Sequence, residues 1–230
     1  MICENSYMWL RIDERTDVLS SLSLTMNCVD RLKDDPALWK WAILSLHNAL
    51  QGAMVCHLSG TAQLGALSDK SVKEWLDWHE RDRRGEIKRI DDGVDELGLP
   101  KIKFARKEDY PPNDRLADAK ELFARLYTEK KRCEGGAGAV IIVTQSECDS
   151  FRRLHDLRNE FSHFTPKGWS IELVGLPGIF IDIVGVLKKI SSDPWPFRHM
   201  AAEERAKLEE LLSQLDRKLQ QLRESYSETS

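Results

Sequence analysis

The run from Asp34 to Gly60, DDPALWKWAILSLHNALQGAMVCHLSG, contains a helix start, a buried face and a helix stop, and it commits the chain to helical packing. Asp35 precedes Pro36, whose missing N–H and fixed φ suit the first helical position, and Gly60 follows the last turn. Trp39, Ile43, Leu46, Leu50 and Met54 recur at three- and four-residue steps and mark a broad apolar face. His47, Asn48 and Gln51 fall around another face of the same helix.

The same period returns along the chain. Thr16 as cap opens a helix to about Asp34 with Leu19, Leu22, Met26 and Val29 on one side. Ser71 and Glu74 fit a capping box ahead of a shorter helix with Val72, Trp75, Leu76 and Trp78. Over about 81–112 the periodicity fades and charge, Gly and Pro dominate, which predicts an irregular charged insertion. Asn113 or Asp114 is expected to cap the next helix, with Leu116, Ala119, Leu122, Phe123 and Leu126 on one face. AVIIV at 139–143 suits a short strand or plain apolar packing equally.

Thr144 and Glu147 form a second capping box that starts a helix at about Gln145, and Pro166 and Gly168 stop it. Leu176 and Pro177 open an apolar helix with Ile179, Ile183, Val186 and Ile190. A last helix over about 198–225 carries a seam of Leu208, Leu212, Leu215, Leu219 and Leu222. The seam docks on its own bundle or pairs with a second subunit; the first is preferred because two heptads make a short coiled coil. The expected fold is all-α: a mostly antiparallel helical bundle, one domain over 1–230, with a charged loop insertion and a C-terminal leucine-rich helix.

Bulk properties narrow the function. A hydrophobic share of 41% is ample for a core, and a net charge of −4 leaves no global basic field to recruit nucleic acid, so any phosphate contact must be local. Five scattered cysteines, never paired as C-x-x-C, suggest neither a disulfide framework nor a zinc site, and a reducing cytoplasm is expected. The N-terminal stretch has no apolar core of an export signal, and the apolar run over 175–187 is interrupted by Asp182 and too short to span a bilayer, so no membrane association is expected.

The most informative stretch is LHDLRNEFSHFTPKGWSIEL, from Leu154 to Leu173. At about 100° per residue, Leu154, Leu157, Phe161 and Phe164 share one arc, the core face. His155, Arg158, Asn159, Ser162 and His163 occupy the opposite arc. Solvated helix faces are mostly Glu, Lys, Gln and Arg, whereas this one combines a phosphate binder with proton-transfer groups. Arg158 offers a planar cation for bidentate phosphate binding. His163 belongs to the residue type that ordinarily exchanges a proton near neutrality, and Asn159 can orient an imidazole or bind a ribose or phosphate oxygen. No metal-ligand set and no cofactor signature accompanies them, so chemistry here is expected to be metal-free.

An Arg five residues before a His is uninformative by itself. Asn directly after the Arg, on a capped helix whose core stripe is in phase, makes the pattern specific. At these residues the chain resembles the HEPN superfamily of small α-helical bundles, whose signature is Arg, often then Asn, and His after four to six intervening residues. RNEFSH matches the four-residue form, with Arg158, Asn159 and His163 in the signature positions. The resemblance covers about Gln145 to Leu173, is compatible in pattern with the helices from Thr16 to Gly60, and leaves Arg81 to Pro112 unexplained.

The resemblance implies a homodimer with one composite cleft, acting as a metal-independent endoribonuclease; many members are toxins or phage-defence effectors, which implies an antitoxin or inhibitor protein as partner. Arg158, Asn159 and His163 would be catalytic. Arg152, Arg153, His155, Ser162, Lys167 and His47 are secondary candidates for binding RNA, although a solvated lysine at Lys167 and a plain helix face at His47 are the simpler expectations. In one toxin branch a Tyr two residues beyond the His is modified by a partner enzyme; here that position is Thr165, so this regulation does not carry over. The alternative is a catalytically silent bundle of the same type that binds RNA, a nucleotide or a protein.

Overall fold

A computed structural model describes residues 10, 12–95, 98–132, 137–163, 168 and 170–229. Among them the chain is mostly helical, with seven α-helices and a single two-stranded sheet. It divides into two compact units, one of residues 1–65 with 119–230 and the other of 66–118.

The larger unit contains α1 (Glu14–Val29), α2 (Trp39–Leu58), α4 (Ala119–Tyr127), α5 (Gln145–Ser162), α6 (Leu176–Ser192) and α7 (Ala202–Thr229). The cap of α1 is Asp13 rather than Thr16. The Asp13 carboxylate accepts from the backbone N–H groups of Arg15 and Thr16, while Thr16 Oγ1 accepts from Asp13 N at 2.8 Å. Thr16 is therefore the last of the four residues of a capping box, not its first. Ahead of α2, Asp35 accepts from Ala37 N at 3.0 Å and Pro36 opens a single 3-10 turn that runs into the helix, as expected.

α2 is the hub: α1, α4, α5 and α6 all pack on it. Its burial consequently extends around the helix, taking in Ser45, His47 and His57 along with Ile43, Leu46 and Leu50. The leucine seam of α7 is buried inside this chain against α6 and α1, with Leu208, Leu212, Leu215, Leu219 and Leu222 each no more than 6% exposed. Residues 139–143 are neither helix nor strand; Ile141 N donates to Leu126 O instead. No helix among the described residues is long and apolar enough to cross a membrane.

The smaller unit holds α3 (Asp69–Arg83) and a hairpin of β1 (Arg89–Val94) with β2 (Pro100–Phe104), so the stretch expected to be irregular has its own sheet. Every residue of β1 is exposed, which is why no apolar alternation announced it. Asp109 is fully buried and accepts from Arg81 and Arg106, each at 3.0 Å. Ser68, not Ser71, caps α3 through Ser71 N at 3.3 Å. Beyond Asn113 the chain stays extended: Ser68 N donates to Arg115 O and Ala117 N to Ala66 O. That pairing explains why the next helix begins at Ala119 rather than at Asn113 or Asp114.

Candidate active site on helix α5

α5 starts as expected. Thr144 accepts from Glu147 N, Glu147 Oε2 accepts from Thr144 N at 2.8 Å, and both Glu147 oxygens accept from Lys189 Nζ at 2.7 Å. The cap is thereby tied to α6. Leu154 and Leu157 are fully buried, which fixes the rotation of α5 and turns the polar arc outward. The helix ends at Ser162, and His163 is its C-cap, with its N–H still donating to Asn159 O at 2.9 Å. Phe164 and Lys167 lie outside the described residues.

The polar arc is a connected chain of side chains. Arg158 Nη1 donates to Asn159 Oδ1 at 2.9 Å. The Asn159 amide nitrogen is 3.1 Å from His155 Nε2, and His155 Nδ1 is 3.1 Å from His47 Nε2 on α2. Proton bookkeeping then permits one assignment. With Oδ1 engaged by Arg158, Asn159 Nδ2 must donate, so His155 Nε2 accepts and carries no proton. His155 holds its proton on Nδ1 and gives it to His47 Nε2, which leaves His47 protonated on Nδ1. That Nδ1 is buried and has no hydrogen-bond partner among the described residues.

Electrostatics agree with a neutral His47. Burial, reinforced by the Arg158 cation and by His155, pushes the His47 pKa down to about 3. His47 is 1% exposed, so it cannot touch a substrate; it holds His155, which holds Asn159. An aromatic ladder backs this chain. Phe123 of α4 stacks on Phe151 at 4.0 Å between centroids, Phe151 lies 5.9 Å from His155, and His155 lies 5.3 Å from His47.

Exposure sorts the candidates. His155, Arg158 and Asn159 are half-buried; Arg152, Arg153, Ser162 and His163 are exposed. The His163 side chain hydrogen-bonds none of the described residues, and Arg152 pairs with Asp149. The link between His47 and His155 was not predicted from sequence, although α2 supplied a signal. WKWAILSLHNALQGAMVCHL contains no Asp or Glu and a single Lys, and a helix so poor in charge tends to be buried all round, histidines included. Among the described residues no three His, Cys, Asp or Glu side chains gather as a metal-binding group.

Compared with protein-family models, curated proteins and solved structures, the chain matches none of the three.

Proposed function

We propose that this protein is a metal-independent endoribonuclease of the HEPN type, acting as a homodimer on RNA. The observation that carries this is the relay rooted in buried His47, which holds Asn159 and Arg158 in place while leaving His163 exposed at the end of the same helix. Preorganised charge beside an accessible proton carrier is what phosphodiester transfer needs. In the reaction, the ribose 2′-oxygen attacks phosphorus and the bond to the 5′-oxygen breaks. His163 removes the 2′ proton and returns a proton to the leaving 5′-oxygen, and Arg158 neutralises the charge on the phosphoryl oxygens. The product is a 2′,3′-cyclic phosphate or its 3′-phosphate hydrolysis product. Asn159 positions.

Isologous pairing of two α5 helices would bring two copies of Arg152, Arg153 and Arg158 to one groove, supplying the local positive charge that the net charge of −4 denies the whole chain. The free thiols Cys28, Cys56 and Cys148 suit a cytoplasmic role. A toxin or phage-defence role, with an antitoxin or inhibitor protein, follows from the same resemblance.

One observation favours the silent, RNA-, nucleotide- or protein-binding alternative: within one protomer no described residue orients the His163 ring. An RNA cleavage assay separates the two. Wild type should cut RNA in EDTA, and Arg158→Ala and His163→Ala should each lose about a hundredfold or more in rate while keeping helical circular dichroism and the dimer. Variants that cut like wild type, or cleavage that requires added metal, would remove the nuclease assignment.

A further inference from the structure

Between α4 and α5 lies a cleft of about 190 Å³, lined by Lys120, Phe123, Tyr127, Cys148, Phe151 and Arg152. Its floor is aromatic. The stacked Phe123 and Phe151 are each 3% exposed, and Tyr127, edge-on to Phe123 at 5.9 Å, keeps 39% of its surface open. Its rim is cationic. The Lys120 and Arg152 side chains are 60% and 61% exposed, and their partners, Asp156 at 3.9 Å and Asp149 at 2.5 Å, are exposed as well. Such solvent-screened pairs hold their cations weakly, so either cation can turn to an incoming anion.

Size and chemistry together select the occupant. Sites for whole drug-sized ligands run from about 300 to 1,000 Å³, so this cleft admits one planar ring system and leaves the rest of a ligand outside. The open ring of Tyr127 above that apolar floor favours a flat π-system, and paired rim cations favour a phosphate attached to it. Position adds direction. Cys148, Arg152, His155 and Asn159 follow one another at steps of four, three and four residues, so one stripe of α5 runs from the cleft to the Arg158–Asn159 pair.

We infer that the α4–α5 cleft is a nucleobase subsite, seating the base of the nucleotide next to the phosphate that Arg158 and His163 act on. It rests on the ribonuclease reading for its place in the reaction, but binding by the cleft is measurable without cleavage. Full-length protein labelled with ¹⁵N is titrated with AMP, with UMP, and with ribose 5-phosphate as the same phosphate lacking a base. Both nucleotides should move amide signals of Ala119–Tyr127 and Gln145–Arg152 saturably, and ribose 5-phosphate should bind at least about tenfold more weakly. Lys120→Glu and Tyr127→Ala should each weaken nucleotide binding by about tenfold or more. The surface position of Lys120 keeps the first variant folded if the second is not. Ribose 5-phosphate binding as well as AMP, no response in the millimolar range, or binding indifferent to Lys120→Glu would overturn the subsite. Cleavage without base-dependent binding would sink the subsite and spare the nuclease; base-dependent binding without cleavage would do the reverse, leaving a nucleotide site.

Discussion

Two histidines of α2, ten positions apart, are buried to the same degree and play different parts. His47 is 1% exposed and His57 fully buried, burial lowers the pKa of each, and each leaves Nδ1 without a partner among the described residues. His47 Nε2 accepts from a side chain, His155, that leads outward through Asn159 to Arg158. His57 Nε2 donates to a backbone carbonyl, Ala139 O, at 2.8 Å. The two rings therefore carry their protons on opposite nitrogens. Around His57 everything fastens the chain: Arg132 donates to the carbonyls of Arg125, Leu126, Gly138 and Ala139, and Asp193 accepts from Ala139 N at 2.6 Å. A buried histidine that ends on backbone is a staple, whereas one whose chain of contacts leads to a half-exposed arginine supports the candidate site. The partner decides, not the burial.

Acid is the strongest test of what the two histidines share. Both histidines titrate lower folded than unfolded, so as pH falls the unfolded chain takes up the proton first and folded stability drops. For His47 the loss begins near its ordinary value of 6.5 and continues to about 3. The slope is about 1.4 kcal/mol per pH unit for one such group, or on the order of 5 kcal/mol across that window. Denaturant unfolding between neutrality and pH 4 should show it, and His47→Gln, which can still accept from His155, should flatten the slope. An unchanged slope in that variant would mean His47 is not held neutral.

Next in size is a change confined to the staple. A Cβ on Gly138 would lie 2.4 Å from His57 Cε1 and 2.5 Å from Nδ1, too close for any side chain. Gly138→Ala should cost about 1–3 kcal/mol by thermal unfolding, as overpacking does, yet leave RNA cleavage by the folded fraction at the wild-type rate. Lost cleavage per folded molecule would tie the staple to the site and dissolve the contrast.

Smallest are changes confined to the support of the site. His155→Ala and Asn159→Ala free the Arg158 side chain without removing it, so each should slow cleavage by about tenfold, far less than Arg158→Ala. Comparing the rates of these variants in one RNA assay ranks positioning against charge; a loss equal to that of Arg158→Ala would make His155 a participant in the chemistry.

Much of α5 was legible because its signals are local. The Thr144–Glu147 box needs only residues three apart, and the Leu154–Leu157 stripe needs only the helical period. Local rivalry limited the first helix, where Asp13 and Thr16 both suit a cap and Asp13 takes it. Tertiary pairing overrode the local signal before α4, where Arg115 and Ala117 bond to the backbone of Ser68 and Ala66 and keep the chain extended.

The amino-acid order by itself determined that α2, α5, α6 and α7 are helices, which apolar stripe each carries, and that Arg158 and Asn159 are neighbours on α5, because period and capping act over a few residues; the ends moved, with the last helix at Ala202–Thr229 rather than 198–225 and His163 at the C-cap of α5 rather than on its face. Only tertiary structure decided that the α7 leucines are buried in their own chain, that His47 reaches His155 across 108 positions, that His57 reaches Ala139 across 82, and that Phe123 and Phe151 floor a cleft beside the same stripe. Those contacts join segments far apart in the chain, and their geometry depends on how helices rotate and settle against one another, which no run of neighbouring residues encodes.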